Sequence, residues 1–151
     1  MRRFGRHGLV AGLAIGLAVS ACGGGESATD AGGGAEIQFT NISDGAQVTS
    51  PAEVCVEATG LAIEAAGDVK EASGHHHLVI DPTADEKAAY AGGTSTEPLV
   101  KDERHLHLGD GTSCFTVKLA PGPHELMAVV GDGAHVPLNP PVVASINVTA
   151  K

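Results

Sequence analysis

The sequence predicts an all-β fold, an immunoglobulin-like antiparallel β-sandwich of about seven strands in a single domain. Three observations predict it. From Glu36 onward, apolar and polar residues alternate in short runs, the period of half-buried strands. Gly, Pro, Asn and Asp punctuate those runs at short intervals, supplying the turns a sandwich needs. Two cysteines, Cys55 and Cys114, each fall on the polar phase of such a run.

Taken in order, "EIQFTNI" from Glu36 is the first strand, closed by the turn "SDGAQ". "AEVCVEATG" is the second, with Val54, Val56 and Ala58 on one face and Glu53, Cys55 and Glu57 on the other. "HHHLVID" from His75 is the third, and "HLHLG" from His105 a short fourth. "SCFTVKL" is the fifth, with Phe115, Val117 and Leu119 facing one way and Cys114, Thr116 and Lys118 the other. "HELMAVVGD" and "VVASINVTA" complete the set. The long insert between the third and fourth strands, Pro82 to Arg104, contains "ADEKAAYA", a segment of helix-forming composition.

An even pair of cysteines in an exported protein reads as a disulfide. In an immunoglobulin-like order the second and fifth strands are neighbours. Directly opposed residues there have Cβ atoms about 4.5–5.5 Å apart, close to what a bridge requires. A Cys55–Cys114 bond would therefore staple one sheet across its outer face.

Export itself is read from the N-terminus. Arg2, Arg3 and Arg6 precede an apolar, small-residue run from Leu9 to Ala21. That run is short of the roughly 20 residues of a membrane span and has the layout of a secretory signal. Its end, "VSAC", resembles the lipobox of bacterial lipoproteins. The resemblance implies a signal peptide over 1–21 and Cys22 as the lipidated first residue of the mature chain. Residues 22–35, rich in Gly, Ser and Ala, read as a flexible tether, which leaves 36–151 as the sandwich domain. The expected location is the cell envelope, lipid-anchored and facing the periplasm or the exterior, with the membrane as partner through the lipid on Cys22.

Charge narrows the partners further. Eighteen acidic residues against nine basic ones give a net charge of −9. No basic stripe is available to neutralise phosphates, which argues against nucleic acid.

The histidines carry the functional signal. His75, His76 and His77 open the third strand, His105 and His107 flank Leu106, and His135 sits in "GDGAHVP" after the sixth strand. In the expected topology these segments meet at one end of the sandwich. If Leu78 and Ile80 face the core, His75 and His77 share the outer face. The same phase puts His105 and His107 together. Pairing the third and fourth strands then makes a two-by-two cluster, with His135 closing the site and His76 in reserve; pairing the fourth strand with the other sheet destroys it. His124, in "LAPGPHEL", reads as a corner residue bonded to nearby backbone.

Imidazole suits Zn, Cu, Ni and Fe. With both domain cysteines tied up and Met127 alone beyond Met1, Cu(II) or Zn(II) suits this donor set. The leading expectation is divalent metal binding through His75, His77, His105, His107 and His135, for storage, delivery or sensing. The first alternative is a structural or interaction module whose histidines order loops by hydrogen bonds. The second is a metal-dependent enzyme, which needs an open coordination position and a general base. No G-x-S-x-G, H-E-x-x-H or phosphate-loop pattern is present, so no catalytic residue is assigned.

The series "GHHHLVID", "HLHLGDGT", "LAPGPHEL" and "GDGAHVPLNPPVVA" resembles the bacterial family catalogued as domain of unknown function 4399, over about Ile37 to Thr149. The resemblance implies a small exported β domain with His75, His76, His77, His105, His107, His124 and His135 at the family's histidine positions, and it implies no activity. Two departures stand out. Thr112, Ser113 and Cys114 replace a Gln-Thr or similar pair, and Leu138 replaces a further histidine that the family often carries.

Overall fold

The computed structural model describes residues 34–151. The expected signal peptide, Cys22 and the tether up to residue 33 lie outside the described residues. Within them the chain forms nine strands and one helix: β1 (Glu36–Phe39), β2 (Ala46–Val48), β3 (Ala52–Thr59), β4 (Ala62–Ile63), β5 (Ser73–Ile80), α1 (Ala84–Ala91), β6 (His105–Leu108), β7 (Cys114–Val117), β8 (Gly122–Gly131) and β9 (Val143–Ala150). They make a two-sheet sandwich, as the alternation predicts.

The smaller sheet has the order β1-β3-β7, antiparallel throughout. The larger runs β2-β9-β8-β5, and the free edge of β5 is shared. Its first two residues pair with β4 and residues 76–79 pair with β6. Two neighbour relations that the site and the bridge need are present: β6 lies antiparallel beside β5, and Cys55 lies directly opposite Cys114 on β3 and β7. The bridge is formed, with the two Cα atoms 4.1 Å apart.

Two strands were not expected. β2 runs parallel to β9, and β4 runs parallel to β5. At three and two residues they are too short for a period-2 pattern to register. Helix α1 falls on the "ADEKAAYA" segment. Thr83 caps it: its hydroxyl accepts from the Glu86 N–H at 3.2 Å, and the Glu86 carboxylate accepts from the Thr83 N–H at 2.7 Å, the reciprocal arrangement that satisfies free donors at a helix start.

Between the sheets lie Val54, Val56, Phe115 and Val117 from the smaller sheet and Leu78, Ile80, Leu126, Ala128, Val130, Ile146 and Val148 from the larger. Each large apolar side chain fully buried there contributes about 1.5–3 kcal/mol. A second apolar cluster lies on the other face of β5. Val79, Leu99, Met127 and Val129, with Tyr90 and Val143 against them, pack on the outer face of the larger sheet, where Leu99 and Tyr90 come from the Pro82–Arg104 insert. All eight residues of β5 are consequently buried.

The position of β5 at the centre of both layers sets an expectation for stability. Leu78→Ala, at a side chain with no exposed surface, is expected to cost about 2–5 kcal/mol in chemical denaturation. Val100→Ala, at a residue 55% exposed, should stay within about 0.5 kcal/mol of the parent.

Candidate metal centre

The site is built on the alternation of β5. Residues 76, 78 and 80 point between the sheets, so 75, 77 and 79 point outward. On the neighbouring strands, His77 lies opposite His107 of β6 and Val129 of β8, while His75 lies opposite Gly131. The turn after β8 then brings His135 over the same patch. The four rings of His75, His77, His107 and His135 stand together, with centroids 4.7–5.0 Å apart, except His77 and His135 at 5.7 Å.

His135 owes its position to an unusual backbone. Its φ of 71° is in the left-handed region that non-glycine residues rarely adopt. The Asp132 carboxylate maintains the turn by accepting from the N–H groups of Ala134 and Val136, at 2.8 and 2.9 Å. The His135 N–H donates to the Asp132 carbonyl, and its own carbonyl accepts from the Leu99 N–H at 2.8 Å. The insert is thereby tied to the turn that carries His135.

Two glycines make room for it. A Cβ on Gly131 would stand 2.9 Å from His77 Nε2, and one on Gly109 would collide with the His107 ring. Neither position needs a left-handed backbone; both need the absence of a side chain.

The inner part of the cluster is buried and under-bonded. His75 is fully buried and His77 is 2% exposed. Their Nε2 atoms lie 2.9 Å apart, with one donating to the other. His75 Nδ1 and His107 Nε2 are buried without any hydrogen-bond partner, a costly state for polar atoms in a folded protein. One ligand nitrogen from each of His75, His77 and His107 lies within 4.8 Å of the other two. Nitrogens bound to one Zn-like ion at about 2.0–2.1 Å are separated by about 3 Å, so the rings need little movement to share an ion.

Burial and mutual repulsion keep these rings neutral. Desolvation, followed by the neighbouring imidazoles, lowers the pKa of His75 to about 4 and that of His77 to about 2. His107 is shifted down by burial first and His135 second. A metal needs the neutral ring, and at neutral pH this cluster presents it.

His105 is not part of the group, which corrects the expected two-by-two arrangement. The register sets it opposite Val79 rather than His77. Both of its ring nitrogens are engaged by carboxylates, Nδ1 with Asp102 at 2.8 Å and Nε2 with Glu86 at 2.9 Å. The His105 contact in turn holds the Asp102 carboxyl down at about 2. Asp102 stands three residues before His105, and that spacing was the available clue. The structure thus brings together His75, His77, His107 and His135 of the five candidates and sets His105 aside as an anchor between β6 and α1.

The remaining histidines are placed separately. His76 points between the sheets, where its Nδ1–H donates to the Thr112 carbonyl at 2.9 Å. His124 donates to the Ala120 carbonyl and to Asp81, both at 2.8 Å, the corner role expected of it, and the Asp81 bond raises its pKa. The sequence reading did not identify Gly109, Gly131 or Asp132 as supports of the site. Their only signal is position, beside or opposite a histidine.

Fold and cluster together define a small two-sheet β protein with a buried polyhistidine centre able to hold a metal ion. The family model described as Domain of unknown function (DUF4399) matches residues 54–151, and the chain belongs to that family. No curated protein and no solved structure matches it.

Two expectations follow from this geometry. Because the folded pKa values of His75 and His77 lie below the unfolded value of about 6.5, the unfolded chain binds more protons in acid. Stability of the metal-free protein should therefore be intact above about pH 6.5 and fall below it, down to about 4 for His75 and about 2 for His77, by up to roughly 1.4 kcal/mol per pH unit for each proton taken up. Thermal melts across that range in the presence of a chelator measure it. Gly131→Ala should weaken metal binding by at least about tenfold, the scale of losses from disturbed ligand orientation, in a titration of the folded variant.

Proposed function

We propose that this protein binds a divalent transition metal, Cu(II) or Zn(II), through His75, His77 and His107, with His135 as the fourth ligand. One observation carries the reading. Two buried ring nitrogens in the cluster, on His75 and His107, have no partner in the protein, and a shared ion would satisfy both. The neutral state of the rings and the absence of a carboxylate from the innermost set suit a borderline cation.

The role is binding rather than catalysis. Four imidazoles fill a tetrahedral sphere and leave no open position for substrate. The acidic chain, at −9 overall, favours approach of cations to the domain. With the signal and Cys22 read as a lipoprotein start, the domain works at the cell envelope, anchored through the lipid, in storage, delivery or sensing of the metal.

Calorimetric titration with Zn(II) and with Cu(II) tests the site. The wild type should bind one ion per chain with a dissociation constant of about 1 μM or tighter. His77→Ala combined with His107→Ala should weaken binding at least about a hundredfold, while His105→Gln and His124→Gln leave it within about threefold. Absence of binding by the folded wild type would leave the metal-free structural reading in its place, and equal losses in His105→Gln would move the site to the carboxylate side of β6.

A further inference from the structure

A second set of metal-type donors lies on the other sheet. Glu53, Cys55 and Cys114 each offer a ligand atom within 4.8 Å of the others. All three stand on the outer face of the β1-β3-β7 sheet, with Cys114 exposed and Cys55 half-buried. In the oxidised protein the two sulfurs are bonded to each other and bind nothing.

The backbone around them is held without that bond. Four successive residue pairs align β3 with β7, from Ala52↔Val117 to Cys55↔Cys114, and the Val56 N–H donates to the Ser113 carbonyl at 2.9 Å just beyond. On the opposite side, the Asn41 side chain donates to the Glu53 carbonyl at 2.9 Å and accepts from the Cys55 N–H at 2.8 Å. β3 is also paired along its other edge with β1. Cleaving the bridge therefore leaves two thiols opposed on neighbouring strands with a carboxylate beside them.

We propose that the bridge is the closed form of a redox-gated thiolate site that takes a divalent borderline ion such as Zn(II) once reduced. The reductant is a dithiol. One of its thiolates attacks the exposed Cys114 Sγ, the S–S bond breaks, and Cys55 leaves as a thiolate that takes up a proton. The second thiol of the reductant then attacks the mixed disulfide, releasing Cys114 and departing as a cyclic disulfide; two electrons and two protons have passed to the protein. Zn(II) binding displaces both thiol protons to solvent. It joins the two thiolates at about 2.3 Å and the Glu53 carboxylate at about 2.0–2.2 Å, with water in the fourth position. This site shares no ligand with the histidine centre.

The test uses the full chain in a Cys22→Ser background, so that the only thiols are those of Cys55 and Cys114. Co(II) is the probe, because thiolate-to-Co(II) charge-transfer absorption reports sulfur ligands whatever the histidines bind. Oxidised protein and protein reduced with a phosphine, then desalted anaerobically, are titrated side by side, with far-UV circular dichroism following the strands. Reduced protein should retain its β signal, show the charge-transfer band and take up one more ion per chain than the oxidised form. Cys55→Ser should abolish the band, and Glu53→Gln should weaken the added ion by at least about tenfold, the scale at which even outer ligand changes register. Reduced, folded protein without the band overturns the proposal, as does loss of the β signal on reduction, which would make the bridge purely structural. An unchanged affinity in Glu53→Gln overturns the three-ligand site.

Discussion

The structure depends on β5 being buried on both faces. A strand in that position must satisfy two interiors at once, and its alternation divides them. Leu78 and Ile80 enter an apolar core that every hydrophobic neighbour stabilises. His75 and His77 enter a second interior in which polar atoms must find partners or cost free energy. A hydrogen-bonding network or an ion can meet that need. Among the described residues, His75 Nδ1 and His107 Nε2 in this interior have no partner in the protein, and neither does His76 Nε2 on the opposite face of β5.

The second interior exists because the insert after β5 folds back. Its Leu99 and Tyr90 join Val79, Met127 and Val129 in an apolar floor beside the histidines, and this floor does electrostatic work. Excluding water lowers the basicity of the rings and strengthens any interaction with a cation placed among them. The same insert carries Glu86 and Asp102, which fix His105. One segment thus supplies both the apolar surface beside the cluster and the two carboxylates that hold His105.

Much of this could be read from the chain. Alternation in β3 and β7 was plain because one face of their sheet meets solvent, and it led directly to the Cys55–Cys114 pairing. The pairing of β5 with β6 was one of two options the sequence left open, whereas the arrival of His135 followed from the order of strands. The register did not. "HLHLG" alternates identically whether His105 or His107 faces the cluster, and only the coordinates show a two-residue offset that sets His105 against Val79. Burial of the outer face of β5 was also hidden, because Tyr90 and Leu99, which pack on it at Val79, are separated by turn-like sequence with no period to follow. Gly109 and Gly131 looked like ordinary turn glycines, since a need for empty space leaves no mark on composition.

The backbone contact between the Leu99 N–H and the His135 carbonyl has a kinetic consequence. The covering segment and one ring of the cluster are mechanically joined, so neither moves far alone. Were an ion bound through His135, its residence time would reflect breaking of this backbone contact as well as the strength of the coordinate bonds. By the same contact, an ion that immobilised His135 would also steady the segment running back through Leu99 toward α1.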